Sequence, residues 1–91
     1  MIDKQTFLQA FIVHLQVNQI PFKEKSDHIH LSQSNQRFFL EMIAYENGTF
    51  ETLITDLGNG SFAKREQGEW VDANDLKARL LSYQDILNKA R

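Results

Sequence analysis

Hydrophobic positions recur with two different periods along the chain, and the change of period divides it into three parts. In the first part Phe7, Leu8, Phe11, Ile12 and Leu15 share one arc at helical spacing, the broad apolar stripe of a helix lying on a core. The spacing predicts a helix from about Lys4 to Val17, with Asp3 as its N-cap and Ile2 and Phe7 at the staple positions across that cap. A second row, Ala10, Val13 and Val17, lies off this stripe. Pro21 cannot continue a helix and holds the residue before it extended, so Asn18 to Phe22 is expected to turn.

The period then shortens to two. His28-Ile29-His30-Leu31 alternates as a half-buried strand would, and Ser32 to Gln36 reads as a polar connection. Phe38 to Tyr45 is apolar at both parities, which suggests a central strand. Asn47-Gly48 can supply both positive-φ positions of a two-residue type I′ turn, after which Thr49 to Leu57 returns antiparallel. Gly58-Asn59-Gly60 marks a second turn. Ser61 to Glu66 is expected as a short edge strand, with Lys64 and Arg65 discouraging further pairing and Gln67-Gly68 ending it.

Helical spacing returns at the end. Asp72 stands as N-cap, Val71 and Leu76 at the staple positions, and Asp75 in the first turn, where the helix dipole favours a negative charge. Leu76, Leu80, Tyr83 and Leu87 form one face of a helix reaching about Lys89. The order predicts a single α+β domain over 1–91: an N-terminal helix, an antiparallel sheet of three to four strands and a C-terminal helix.

A two-residue loop at Asn47-Gly48 would pair residues across the central hairpin whose numbers sum to about 95, setting Tyr45 opposite Phe50. That register places Phe38, Leu40, Met42 and Ala44 with Glu51, Leu53, Thr55 and Leu57. Phe39, Glu41, Ile43 and Tyr45 then share the other face with Phe50, Thr52, Ile54 and Asp56. Both faces carry large apolar groups. Two helices can cover one face each, or both can cover one and leave the other for a partner, and a loop misjudged by one residue would reassign every side chain.

Composition narrows the functional classes. At 91 residues, 42% apolar and 24% charged, the chain is an ordinary globular domain. No apolar run approaches the length of a membrane span, and the N-terminus lacks a signal-peptide layout, so a cytoplasmic location without membrane contact is expected. The chain has no cysteine, which removes disulfides, thiolate nucleophiles and cysteine-based zinc sites. A net charge of −2 is not the footprint of a nucleic-acid binder and favours basic partners.

Catalytic chemistry finds little support. His28 and His30 point to one side of a strand and His14 lies on the first helix, a set that with Asp27 could hold zinc. Histidines alternating on a solvent-facing strand explain the same pattern, so no metal or other cofactor is expected. No phosphate-binding glycine motif occurs, and Gly58-Asn59-Gly60 joins two strands instead of opening a helix. Glu41, Glu46, Glu51 and Asp56 follow the hairpin without forming an acid and base pair. The reading is therefore not an enzyme. Glu66, Glu69, Asp72 and Asp75 gather near the start of the last helix, while Glu46 and Glu51 flank the hairpin turn. Such a field would attract a basic protein, although dipole complementation suffices for Asp72 and Asp75.

The segment Arg37-Phe38-Phe39 through Tyr45-Glu46-Asn47-Gly48, then Leu53-Ile54-Thr55-Asp56-Leu57-Gly58-Asn59-Gly60 and a capped terminal helix, resembles small bacterial immunity proteins of contact-dependent growth inhibition systems. It is most similar to the group whose toxins are tRNA-cleaving nucleases that act with elongation factor Tu. The resemblance covers roughly residues 26 to 90 in layout and sheet pattern, without a diagnostic motif. It implies a non-enzymatic protein that binds the C-terminal nuclease domain of a secreted effector, with elongation factor Tu a candidate third member of the complex. The alternative is a small acidic adaptor or secretion chaperone holding an effector peptide. The residues nominated for partner binding are Tyr45 and Phe50 as aromatic anchors and Glu46, Glu51, Glu66 and Glu69 as steering charges.

Overall fold

A computed structural model describes residues 4 to 89 and gives an α+β fold with the element order α1 (Lys4–Val17), β1 (Phe22–Glu24), β2 (His28–Ser34), β3 (Phe38–Tyr45), β4 (Thr49–Asp56), β5 (Phe62–Glu69) and α2 (Ala73–Lys89). The expected cap at Asp3 and its staple partner Ile2 lie outside the described residues. All five strands join one antiparallel sheet in the order β1-β2-β3-β4-β5, a meander with β3 at its centre. The expectation of three to four strands is corrected to five. The added strand, β1, is three residues long and follows the turn at Gln19, whose φ is 57°.

Two predicted boundaries also move. Ser32, Gln33 and Ser34 extend β2 as far as a pairing with Phe39, and the turn beyond them is built by Asn35, whose Oδ1 accepts from the amides of Arg37 (2.8 Å) and Phe38 (2.7 Å). At the far edge, Gln67 and Gly68 do not end β5. They remain paired, opposite Glu51 and Phe50. Gly68 is tolerated there because it leaves room for the Phe50 ring, 3.2 Å from where a Cβ would stand.

The central hairpin departs from the predicted register by one residue. Observed partners sum to 94, as in Phe38↔Asp56, Met42↔Thr52 and Ala44↔Phe50. The loop thus has three residues, Glu46-Asn47-Gly48, and only Gly48 has positive φ (+93°), with its amide bonded to the Tyr45 carbonyl at 3.0 Å. This is a turn followed by one left-handed residue, the three-residue alternative to the type I′ loop. Asn47 serves it through its side chain, which accepts from the Thr49 amide and hydroxyl. Tyr45 therefore does not face Phe50. Every β4 side chain changes face relative to the expected pairing.

With that register the strands sort cleanly. Phe38, Leu40, Met42 and Ala44 of β3 are buried with Phe50, Thr52 and Ile54 of β4 and Ile29 and Leu31 of β2. Both helices lie on this one face: Leu8, Phe11, Ile12 and Leu15 of α1 and Leu76, Leu80, Tyr83 and Leu87 of α2 complete a single core. The disposition in which each helix covers its own face is excluded. Asp72 caps α2 as expected, accepting from the Asp75 amide at 2.8 Å, and the Asp75 carboxylate reaches back to the Val71 amide at 2.9 Å. Val71, however, is 68% exposed and takes no part in the core, so the expected staple to Leu76 is replaced by burial of its neighbour Trp70.

Trp70 is the largest fully buried side chain. Its indole Nε1 donates to the Tyr45 carbonyl (3.0 Å) and its amide to the Gly48 carbonyl (2.8 Å), while Phe7 meets its ring edge-on and Lys4 Nζ lies 5.1 Å from the ring centroid. One residue thereby ties the hairpin loop to α1 and to the start of α2. Asn35 does the same at the opposite end, donating to the Leu87 carbonyl at 2.9 Å.

Candidate protein-binding face

A sheet buried on one side only leaves the other side to be described, and here it is not merely polar. Strand alternation places Phe39, Glu41, Ile43 and Tyr45 of β3 on the open face with Glu51, Leu53 and Thr55 of β4, His28 and His30 of β2, and Arg65, Gln67 and Glu69 of β5. Phe39, Ile43, Tyr45 and Leu53 are half-buried by their strand neighbours, and no element among the described residues covers them. They form an apolar band along the middle of the sheet, and charged groups frame it. Glu41, Glu51 and Glu69 on the strands, with Asp27 and Glu46 at the hairpin end, outweigh Lys23 and Arg65.

The six residues nominated from the sequence are divided by the fold. Tyr45, Glu51 and Glu69 share the open face, and Glu46 stands exposed in the turn at the same end of the sheet. Phe50 does not belong to this group. It is 2% exposed in the helix-covered core, with the Arg79 guanidinium 4.4 Å from its ring centroid, so it cannot anchor a partner. Glu66 also turns to the helix side, where its carboxylate accepts from the Tyr83 hydroxyl and lies 3.7 Å from Arg79. Burial, followed by the hydrogen bond to Glu66, pushes the Tyr83 hydroxyl up to about 12. Of the acidic cluster before α2, Glu66, Asp72 and Asp75 are thus engaged within the chain.

On the open face, Tyr45 stacks obliquely on His28, ring centroids 5.4 Å apart, and His28 Nδ1 lies 2.6 Å from Asp27. Desolvation and the nearby carboxylates of Glu51 and Asp27 raise the Tyr45 hydroxyl above its ordinary value, so it stays neutral and can donate. His30 Nε2 is 3.1 Å from Glu41. His14, on α1, instead stacks on Phe11 and lies within reach of Asn18. The histidines therefore do not converge, and no group of three or more metal-ligating side chains occurs among the described residues.

Between β3, β4 and β5 the open face is concave, a shallow depression of about 450 Å³ with Ile43 and Leu53 in its lining, Glu41 and Glu51 beside them, and Arg65 and Gln67 along the β5 side. Sequence reading missed this hollow because the shifted register assigned Glu51 and Leu53 to the opposite face. An arrangement of apolar side chains flanked by two carboxylates can bind an apolar and basic surface. No helix among the described residues is long and apolar enough to cross a membrane. Comparison with known protein families, curated proteins and solved structures returns no match for this chain.

Proposed function

We propose that the chain is a non-enzymatic protein-binding domain that acts through the open face of its sheet and, following the resemblance of its central hairpin to contact-dependent growth inhibition immunity proteins, that its partner is the nuclease domain of a toxin. The observation carrying this reading is that both helices cover the same face, which leaves Phe39, Ile43, Tyr45 and Leu53 without a cover. Such a band is costly to expose in a monomer and useful at an interface. The carboxylate frame fits a basic partner, and nucleases that handle RNA present basic surfaces to phosphates. Binding there would block an active site sterically, with no chemistry required of this chain. The tRNA-cleaving activity of the toxin and a role for elongation factor Tu belong to the same proposal.

The experiment is reconstitution with the nuclease domain of a candidate effector, sought first among the genes neighbouring this one. Stoichiometric addition of the protein is expected to stop cleavage of tRNA, and an Ile43→Asp, Leu53→Asp variant that keeps the wild-type fold is expected not to. Undiminished cleavage in the presence of excess wild-type protein would remove the toxin reading.

A further inference from the structure

The depression on the open face has a chemistry more specific than that of a generic acidic surface. Its lining is aliphatic at Ile43 and Leu53, which are diagonal neighbours on β3 and β4, and its two carboxylates occupy the other diagonal, since Glu41 pairs with Leu53 and Ile43 with Glu51. Diagonal positions in an antiparallel pair are roughly 7–8 Å apart at the backbone, within reach of long side chains, so the two carboxylates can flank one cation from opposite sides. A planar cation with donors spread along its edge can bridge them. Neither carboxylate is saturated among the described residues: Glu41 meets His30 through one oxygen, at 3.1 Å, and Glu51 lies near the Tyr45 hydroxyl, whereas a carboxylate offers about four acceptor positions. Arg65 borders the hollow opposite Leu53, and among the described residues it forms no ion pair with either carboxylate.

We propose that this depression is an arginine-binding subsite, taking one arginine side chain of the protein partner with its methylenes against Ile43 and Leu53 and its guanidinium between Glu41 and Glu51. The inference rests on the reading of this face as the partner surface and assigns it a specificity. Arginine is preferred to lysine for two reasons. The guanidinium fork spans both acceptors, and its weak hydration lowers the cost of seating it against aliphatic carbon.

The test needs no toxin. Amide chemical shifts of the purified protein are followed during titration with N-acetyl-arginine methylamide, whose only charge is the guanidinium. Saturable shifts centred on Glu41, Ile43, Glu51, Leu53 and Arg65 are expected, with a dissociation constant on the order of 1 mM for so small a ligand. The lysine analogue is expected to bind about tenfold more weakly, a loss of about 1.4 kcal/mol. Glu41→Gln and Glu51→Gln should each weaken the arginine probe by a similar factor with unchanged spectral dispersion, whereas Glu69→Gln, which removes the same charge outside the hollow, should not. Non-saturating shifts in the millimolar range, equal response to both probes, or equal loss in Glu69→Gln would overturn the subsite. A protein that stops the toxin but fails this titration loses only the subsite. One that passes it but protects nothing loses the toxin reading and keeps the subsite.

Discussion

The two faces of the sheet are built from the same strands and have opposite fates. On one, Leu40, Met42 and Ile54 are wholly buried beneath two helices. On the other, Ile43 and Leu53, of the same chemical kind and adjacent in sequence to those residues, are only half-buried and meet no covering element among the described residues. What separates them is a single residue of loop length. Had the hairpin closed with two loop residues, Leu53 would lie in the core and Phe50 outside it, so the three-residue turn at Glu46-Asn47-Gly48 decides which side chains enter the core and which stand on the open face.

Four changes would sharpen or break that contrast. Phe50→Ala should have the largest effect, destabilising by about 3–5 kcal/mol in denaturant unfolding because it empties a core site under Arg79 and Gly68, whereas Tyr45→Ala across the turn should cost far less. A comparable loss at both positions would mean that the open face is covered in solution. The second change is alkaline. Tyr83 is held protonated up to about pH 12 in the fold but titrates near 10 when unfolded. The folded state thus binds the additional proton between these values, and its contribution, on the order of 2 kcal/mol, is complete below pH 10 and lost as pH rises towards 12. Unfolding measured at pH 8 and 11 should show the loss in the wild type and a smaller one in Tyr83→Phe.

Gly48→Ala comes third. It forces a Cβ into a left-handed position and within 2.6 Å of the Lys4 side chain, which can move, so the backbone strain dominates and should cost about 1–2 kcal/mol. Its value lies in the register: if the variant instead shifts to a two-residue loop, the cross-strand contacts Ala44–Phe50 seen by NMR should disappear. Asp72→Ala, which removes the cap of α2 on the helix side of the sheet, should cost about 1 kcal/mol and leave the dissociation rate from a partner on the open face unchanged.

The helices were legible because their stripes are continuous and, for α2, because Asp72 and Asp75 form a local device. Asn47-Gly48 announced a turn but not its length, since the same dipeptide suits either loop. The choice is enforced at a distance, by the Trp70 amide on the Gly48 carbonyl and the Glu46 amide on the Asp27 carbonyl (2.7 Å). β1 escaped notice because three residues cannot show alternation, and the end of β5 because Glu66-Gln67-Gly68-Glu69 has no apolar residue and pairs only as an edge. Trp70 carried a signal that went unused: a lone tryptophan between a charged strand and a helix cap seldom stays exposed. Of the nominated residues, Tyr45, Glu51 and Glu69 stand on the open face, while Phe50 left it with the register and Glu66 is turned to the helix side by Tyr83 and Arg79.

The measurement that bears most directly on the proposal that one face stabilises and the other binds is the dissociation rate from the proposed nuclease partner for two paired variants. Ile43→Ala, Leu53→Ala cuts the open face. Val13→Ala, Leu81→Ala cuts exposed apolar side chains on the outer surface of the helices, where Val13 is 56% and Leu81 65% exposed. The account predicts dissociation at least about 30-fold faster for the first pair, corresponding to about 2 kcal/mol, and an unchanged rate for the second. Faster release from the helix-surface pair, with the open-face pair bound as tightly as wild type, would contradict it.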